Sequence, residues 1–357
     1  MESTKAVLNH LDNYQLSSNS FLNIIKDLTY LHFEKCNPYK SILKKLYKFD
    51  PNNFLIENLN DIPFIPVNIF KNKVLRSIDE KDIYKVLESS GTTGQKTSKI
   101  YLDRFNARVQ SIALSKIFTD FTSLKRPDIL IIDNPDLLKS PNKFSARLAG
   151  IVGFRSLCRK SFFALNNDMS INFEEIRNCL NNSEGKILVY GFTFIIWLHF
   201  LSESFPKELK ELFSKKAILL HGGGWKKLET IKISQENFKE KIFEKTGIKQ
   251  AINYYGMVEQ TGSIFMECES GYLHSNPLCE IVPRSLNDIN KVSDDNFGIG
   301  HVFSSLPTSY PGHSLLTEDL IKLNNTQCTC GRKGTSFRVL GRIKTAEKRG
   351  CSDTYES

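Results

Sequence analysis

Apolar residues recur at helical spacing near the start of the chain, where side chains three and four positions apart share one face. This pattern predicts a helix over 21–34 and a second helix over 38–48. Residues 61–66 read Asp-Ile-Pro-Phe-Ile-Pro, and two prolines among apolar residues predict an extended connector. A further helix is predicted over 104–118, after a loop rich in glycine, serine and threonine.

From residue 128 onward, short apolar runs alternate with helical patterns. The predicted strands cover 128–133, 186–190 and 217–220, and the predicted helices cover an aromatic-rich stretch at 192–200 and the stretch 234–245, which Gly247 ends. Strands that alternate with helices predict an α/β fold with a parallel, doubly wound sheet.

Beyond residue 252 the pattern changes to short strands and turns, with strands predicted at 262–267, 279–282, 299–305 and 319–323. We interpret this part as a smaller β-rich region whose boundary lies between 250 and 275. The predicted organisation is therefore a helical segment at 1–60, an α/β core at 61–260, a β-rich subdomain at 261–340, and a C-terminal tail at 341–357.

Composition narrows the class of protein only slightly. The chain of 357 residues has 40% hydrophobic and 24% charged residues, as globular proteins do, and a net charge of +9. Its lysines are scattered, so compositional drift explains most of this charge; the alternative is an anionic partner such as nucleotide phosphates or an acidic carrier protein.

We expect no nucleic-acid partner. Neither a signal-peptide run nor a stretch of about 18 apolar residues is present, so we expect a cytoplasmic protein without a membrane span.

A run of small and hydroxylated residues is the strongest local signal for ligand binding. It consists of Ser89, Ser90, Gly91, Thr92, Thr93 and Gly94, followed by Gln95. Glycines allow close backbone approach, and hydroxyls with successive N–H groups are suited to phosphate oxygens. The spacing is not that of a Walker loop, and a flexible turn is the alternative interpretation of the run alone.

Four potential metal ligands form a second pattern, Cys-x5-His followed after about fifty residues by Cys-x-Cys. They are Cys268, His274, Cys328 and Cys330. Three sulfurs and one imidazole are a ligand set of structural zinc sites, and four protein ligands leave no position open for catalysis. The alternative is that these residues are ordinary thiols, since eight cysteines in a reducing compartment need not bind metal.

Five motifs together resemble those of the adenylate-forming superfamily. They are the loop at 89–95, Gly222-Gly223-Gly224, Tyr255-Gly256-Met257-Val258-Glu259, Thr317-Glu318-Asp319 and Gly341-Arg342-Ile343-Lys344. The resemblance implies that the loop binds phosphates and that the three glycines form the adenine wall. It also implies that Tyr255 lies against adenine, that Glu259 lies on the Mg²⁺ side, and that Asp319 and Arg342 reach the ribose of ATP.

A narrower resemblance is to the acyl-protein synthetases of bacterial bioluminescence, also called luciferin-component ligases. It covers the chain from about residue 20 to Cys351 and rests on 61–66, the phosphate loop, His221-Gly-Gly-Gly-Trp225 and the tail Arg349-Gly350-Cys351. Members of this family activate a fatty acid as its adenylate, take the acyl group onto a cysteine near the C-terminus and pass it to a reductase partner. The match implies that Cys351 carries the acyl group.

The chain departs from the superfamily pattern after the hinge motif. Only fifteen residues follow Arg342, so we expect the usual swinging C-terminal domain with its catalytic lysine to be missing or truncated. Lys344 is our candidate to supply positive charge in its place, with Lys348 as a second candidate. The phosphate loop also lacks the usual Lys-Gly ending, and neither Lys96 nor Lys99 aligns with that lysine.

Aromatic residues near predicted strand ends are candidates for the acyl pocket, because ligands of α/β folds bind there. Trp225 is the first choice, with Tyr190 and Phe192 as further candidates; an aromatic run is otherwise ordinary core packing.

Three functions stay open: an acyl-protein synthetase, a ligase that transfers to coenzyme A or to a carrier-protein phosphopantetheine, and a degenerate relative that binds nucleotide within a complex.

Overall fold

A computed structural model describes the chain in five stretches, which are 2–14, 18–89, 96–139, 146–223 and 233–343. The helices are α1 (Glu2–Asn13), α2 (Ser18–Lys35), α3 (Asn37–Tyr47), α4 (Arg104–Thr122), α5 (Ala146–Arg155), α6 (Phe173–Asn182), α7 (Thr193–Ile195, continued by a π-helix at Ile196–Phe200), α8 (Lys207–Lys216) and α9 (Gln235–Thr246). Short 3₁₀ helices lie at Leu59–Asp61, Val67–Lys71, Glu80–Asp82, Pro135–Lys139 and Val258–Gln260.

The strands are short, and several are two to four residues long. They are β1 (Ile65–Pro66), β2 (Lys85–Glu88), β3 (Lys99–Leu102), β4 (Ile129–Ile131), β5 (Ser161–Phe163), β6 (Ile187–Phe192), β7 (Ala217–Gly222), β8 (Gln250–Tyr255), β9 (Phe265–Glu267), β10 (Leu273–His274), β11 (Cys279–Arg284), β12 (Phe297–Ser304), β13 (Ser314–Leu323) and β14 (Ser336–Arg342). No helix among the described residues combines the length and apolar character needed to cross a membrane.

The chain forms two compact units. The first unit consists of Met1–Ser89, Lys96–Ile117 and Gly256–Glu347, so it combines residues from both ends of the sequence. The second unit consists of Ser90–Gln95, Phe118–Tyr255 and Lys348–Ser357. The segment boundaries predicted from the sequence stay a prediction.

The second unit has the parallel sheet that the alternating pattern predicts. Its strands lie in the order β8-β7-β6-β4-β5, and every one of these pairings is parallel. All positions of β6 and β7 are buried, as expected for parallel strands covered on both faces. The carboxyl ends of these strands share one edge, so the residues that follow them are brought close together.

The first unit contains an antiparallel sheet in the order β11-β12-β13-β14-β10-β9. Strand β1 adds to it by parallel pairing with β13, where Ile65 lies opposite Leu315. The dipeptide Ile65-Pro66 thus has the extended conformation that the two prolines of the segment 61–66 predict. Strands β2 and β3 form a separate antiparallel hairpin in the same unit.

Buried histidines connect the N-terminal helices of the first unit to its β-rich part. The rings of His32 and His313 stack with centroids 5.0 Å apart, and the Thr29 hydroxyl lies 3.0 Å from His313 Nε2. His32 Nδ1 is 2.7 Å from the hydroxyl of Ser77, and its Nε2 is 3.0 Å from the Pro307 carbonyl oxygen. Burial lowers the pKa of His32 to about 3, so its ring is neutral near pH 7.

Candidate functional site

The predicted phosphate loop connects the two strands of the β2–β3 hairpin. Ser89 donates its N–H to the Ser98 carbonyl over 3.0 Å, and Ser98 donates its N–H to Ser89 Oγ over 2.8 Å. Lys99 forms an ion pair with Glu88 at 3.4 Å. The loop is therefore followed by strand β3 and only then by α4, whereas a Walker loop leads directly into a helix. The loop residues 90–95 themselves lie outside the described part of the chain.

In the second unit, the two glycines at the end of β7 make room for two aromatic rings. A Cβ on Gly222 would lie 2.4 Å from Cε1 of Tyr254, and a Cβ on Gly223 would lie 2.9 Å from Cδ1 of Phe192. Gly223 also has φ of +80°, a left-handed conformation that favours glycine. These glycines are therefore required by packing inside the unit, whatever ligand they approach.

We expect Gly223→Ala to destabilise the protein more than Gly185→Ala. Both glycines have left-handed φ values, +80° and +75°, so a backbone cost of about 1–2 kcal/mol is common to both variants. Among the described residues, a Cβ on Gly185 meets nothing within 4 Å, whereas a Cβ on Gly223 meets the Phe192 ring. Overpacking adds about 1–3 kcal/mol, which urea denaturation of the two variants measures. Equal losses of stability would contradict the packing role.

Two of the proposed acyl-binding aromatics are enclosed by their neighbours in the second unit. Tyr190 is fully buried and its hydroxyl lies 2.9 Å from that of Tyr254, while Phe192 is 6% exposed. The Tyr190 ring packs against Phe154, with centroids 4.7 Å apart. Gly150 makes this arrangement possible, because a Cβ there would lie 2.5 Å from the Tyr190 hydroxyl oxygen.

The Tyr-Gly-x-x-Glu segment divides between the units, with Tyr255 at the end of β8 in the second unit and Gly256 beginning the last stretch of the first. Glu259 is 3% exposed and lies in the 3₁₀ helix Val258–Gln260 of the first unit. Its neighbour Gln260 fixes this turn, because the Gln260 amide donates to the carbonyl oxygens of Gly312 at 2.8 Å and Val302 at 3.2 Å. The carboxylate of Glu259 is therefore buried on a firmly held backbone.

The environment of Glu259 includes a buried phenol. Burial raises the pKa of Tyr310, and the negative charge of the nearby Glu259 carboxylate raises it further. Gly312 approaches so closely that a Cβ there would lie 2.6 Å from the Glu259 carbonyl oxygen. The neutral phenol and the carboxylate thus occupy the same buried region of the first unit.

The two predicted ribose-binding residues lie directly opposite each other on neighbouring strands. Asp319 on β13 pairs in register with Arg342 on β14, and Arg342 Nε donates to Asp319 Oδ1 over 3.1 Å. A bulge between Leu320 and Ile321 sets this register. The Arg342 side chain is 30% exposed and that of Asp319 is 14% exposed, so both retain access to solvent. The guanidinium also lies 3.9 Å from Glu318 Oε2.

All four predicted metal ligands come together in the first unit. The Sγ atoms of Cys268, Cys328 and Cys330 and a ring nitrogen of His274 lie within 4.8 Å of one another. Cys268 Sγ is 3.7 Å from Cys328 Sγ, and Cys330 Sγ is 3.4 Å from His274 Nε2. We name these four residues the four-ligand cluster. Burial lowers the pKa of His274, which favours the neutral imidazole.

Sequence reasoning missed a buried ion pair at the end of β4 in the second unit. Arg147 Nε donates to Asp133 Oδ2 over 2.6 Å and Arg147 Nη2 contacts Asp133 Oδ1, which makes the pair bidentate. Both side chains are at most 4% exposed. The sequence offered one signal, since a charged residue ends the apolar run 128–133 at a position where an α/β fold binds ligands.

Several predicted site residues lie outside the described part of the chain. They are Ser90, Gly91, Thr92, Thr93, Gly94, Gly224, Trp225, Lys344 and Cys351. Their assignments therefore stay predictions.

Comparison with known families decides the class of this protein. Residues 12–357 match the family described as "Acyl-protein synthetase, LuxE". The chain belongs to the acyl-protein synthetase family. The long-chain-fatty-acid–luciferin-component ligase of Aliivibrio fischeri is similar to it, at 21% identity over 339 residues that cover 92% of this chain and 86% of the relative. The ligase of the same name from Vibrio harveyi is 22% identical over 344 residues, covering 92% and 85%.

Solved structures show that this chain shares its fold with adenylate-forming ligases. The open conformation of a 2-hydroxyisobutyryl-CoA ligase, in complex with 2-HIB-AMP and CoA, superposes with a TM-score of 0.66 at 14% identity. That match covers 92% of this chain and 70% of the ligase. An ATP-bound RpMatB-BxBclM chimera gives a TM-score of 0.50 at 16% identity, covering 74% and 49%. The predicted α/β, adenylate-forming-enzyme-like fold is confirmed.

Proposed function

We propose that this acyl-protein synthetase activates a fatty acid with ATP as an acyl-adenylate and then transfers the acyl group through Cys351 to a partner protein. The observation that carries the proposal is the pairing of Asp319 with Arg342. These residues lie 23 positions apart in the sequence, and two separate motifs predict that both contact the ribose. In the structure they form one hydrogen-bonded pair. Membership of the family supports the ligase chemistry.

The first step makes the carboxylate reactive. A carboxylate oxygen attacks the α-phosphorus of ATP, an O–P bond forms, and the bond between the α-phosphorus and the bridging oxygen breaks to release pyrophosphate. Charge accumulates on phosphate oxygens, so positioning and charge stabilisation dominate catalysis. Mg²⁺ supplies Lewis-acid neutralisation of that charge when it is bound.

The residues of the chain receive separate roles in this step. Glu259 suits Mg²⁺, because a carboxylate is the hard oxygen ligand that this ion prefers. Asp319 has carboxylate oxygens able to accept hydrogen bonds from ribose hydroxyls, and Arg342 holds that carboxylate in place. We assign phosphate binding to the loop 89–94 and neutralisation of phosphate charge to Lys344.

The adenine and acyl contacts are assigned to aromatic residues and glycines. Tyr255 and the glycines 222–224 are proposed to contact adenine. Trp225 and Phe192 are proposed to contact the acyl chain. Because Tyr190 is fully buried, we assign it the role of positioning Phe192 and Tyr254 rather than touching substrate.

The second step needs a thiolate, and the four described cysteines outside the four-ligand cluster are poorly suited to provide one. They are Cys36, Cys158, Cys179 and Cys279. Burial raises the pKa of each of these four thiols, to about 12 for Cys158 and Cys179. Such thiols are protonated near pH 7 and react slowly. Cys351 is the remaining cysteine of the sequence, and it follows the basic residues Lys348 and Arg349.

In that step the Cys351 thiolate attacks the acyl carbon of the adenylate. A C–S bond forms and the C–O bond to AMP breaks, so AMP leaves with the electron pair and the thiol proton passes to solvent. The acyl group then moves from Cys351 to a nucleophile of the partner, which we expect to be reductase-like or a carrier protein.

A second candidate keeps the adenylation step and changes the acceptor to coenzyme A or a carrier-protein phosphopantetheine. Its support is the fold shared with a 2-hydroxyisobutyryl-CoA ligase solved with CoA. The two candidates differ in whether a thiol of this chain ever carries the acyl group.

Pyrophosphate exchange into ATP tests the adenylation step without any knowledge of the acceptor. With Mg²⁺ and a panel of short, medium and long fatty acids, aryl acids and amino acids, we expect exchange with fatty acids. Exchange with aryl or amino acids alone would overturn the fatty-acid assignment. Absence of exchange with every acid, even after candidate reductases and carrier proteins are added, would favour a degenerate relative that binds nucleotide within a complex.

A further inference from the structure

We propose that the four-ligand cluster is a structural zinc site that fastens β10 to the segment leading into β14. The site lies wholly within the first unit, and its four ligands come from two stretches of chain more than fifty residues apart. Its chemistry is separate from the adenylation proposed above, so failure of one proposal leaves the other standing.

Two of the distances between the ligand atoms match the edges of a zinc tetrahedron. With a Zn–S bond of 2.3 Å, two sulfurs of a tetrahedron lie about 3.8 Å apart, and a sulfur and an imidazole nitrogen lie about 3.6 Å apart. The corresponding distances here are 3.7 Å between Cys268 Sγ and Cys328 Sγ, and 3.4 Å between Cys330 Sγ and His274 Nε2. A disulfide needs about 2.05 Å between sulfurs, so the pair Cys268–Cys328 is not bonded.

Backbone geometry holds the Cys-x-Cys turn in a form suited to a metal. The Gly331 N–H donates to the Cys328 carbonyl over 3.1 Å, and Gly331 has φ of +76°. The Arg332 N–H donates to Cys330 Sγ over 3.4 Å, so the backbone of this turn also holds the position of the sulfur.

The opposite side of the cluster is held by the β9–β10 turn. Cys268 directly follows β9, and its N–H donates to the Tyr272 carbonyl over 2.9 Å. His274 ends β10 and lies opposite Ser336 of β14. The hydroxyls of Ser270 and Thr329 meet at 2.8 Å, which joins the two ligand-bearing turns. A metal here would therefore fix the start of β14, the strand whose last residue is Arg342.

Zinc rather than a hard cation fits this donor set, because three sulfurs and one imidazole are soft to borderline ligands. The burial of Cys268, His274 and Cys328 also favours a closed structural site. Four protein ligands complete a tetrahedron, so no position is left for substrate or water.

Metal analysis of the full chain, purified without chelators under reducing conditions, tests the site. We expect about one zinc ion per chain, bound by the four ligands. Cys328→Ala should lose the zinc and unfold at lower temperature. Cys279→Ala is the matched control, because Cys279 is equally buried in the same unit but lies outside the cluster, and it should keep the zinc.

Reconstitution with Co²⁺ keeps the proposal testable if Cys328→Ala does not fold. Tetrahedral cobalt bound to three thiolates should give sulfur-to-cobalt charge-transfer absorption together with strong visible bands in the wild-type protein. Zinc below about a tenth of an equivalent with no such absorption would overturn the proposal. Retention of zinc by Cys328→Ala and Cys279→Ala alike would also overturn it, because the metal would then be bound elsewhere.

Discussion

Glu259→Gln is expected to lower the rate of ATP–pyrophosphate exchange by about 10²–10³, the usual cost of removing one charge-stabilising group from an active site. Gln has nearly the same size and keeps one oxygen, but it lacks the negative charge that we propose binds Mg²⁺. The backbone of this turn is held by Gln260, so the substitution should leave the fold unchanged. The loss should appear in the exchange rate at saturating ATP and acid.

A buried acid elsewhere in the same unit provides the control for Glu259. Glu267 on β9 is 3% exposed, as Glu259 is, and Glu267→Gln therefore removes an equally buried charge. We expect Glu267→Gln to retain exchange. Equal losses in the two variants would indicate that burial of charge, and not the position of Glu259, matters. Full exchange by Glu259→Gln would refute its proposed role.

Cys351→Ser is expected to abolish the covalent acyl-enzyme while leaving pyrophosphate exchange intact. Exchange needs only the adenylation step, whereas acyl-enzyme formation needs a thiolate, which is far more abundant at neutral pH than a serine alkoxide. Labelled fatty acid and ATP should mark the wild-type protein with a thioester that hydroxylamine removes. The variant should show label at background level.

Cys158→Ser is the matched control for the acyl-enzyme experiment. Burial, together with the negative charge of the neighbouring Asp128, raises the pKa of the Cys158 thiol to about 12. We therefore expect Cys158→Ser to be labelled as strongly as the wild-type protein. Normal acyl transfer to an acceptor by Cys351→Ser would favour direct transfer to coenzyme A or phosphopantetheine instead.

Periodicity revealed the long elements because their apolar faces are continuous. The predicted helices at 21–34 and 38–48 correspond to α2 and α3, and the predicted strands at 186–190 and 217–220 begin β6 and β7. The sequence did not predict short elements such as β10, with two residues, since two residues carry no period. It also missed the π-helix Ile196–Phe200 within the aromatic run, because one wide turn leaves the pattern of apolar residues nearly unchanged.

The sequence identified candidate site residues by their type and motif. It did not predict which of these residues contact each other in the fold. Asp319 and Arg342 could be named from their motifs, yet their contact results from a bulge between Leu320 and Ile321, and no local signal specifies that bulge. The four-ligand cluster was recognisable from the spacing of its cysteines and histidine. The bidentate pair of Asp133 with Arg147 was missed because fourteen residues separate its members and each alone resembles a surface charge.

The discontinuity of the first unit determines the order in which the protein is able to fold during synthesis. Thr29 meets His313 across 284 residues, and His10 meets Pro277 across 267. At about 5–20 residues per second, the N-terminal helices wait roughly 15–60 s for those partners to be translated. The stretch 118–255, which forms the parallel sheet, emerges complete before then. We therefore expect α1 and α2, which carry His10 and Thr29, to lack these partners for most of synthesis and to be where chaperones bind the nascent chain.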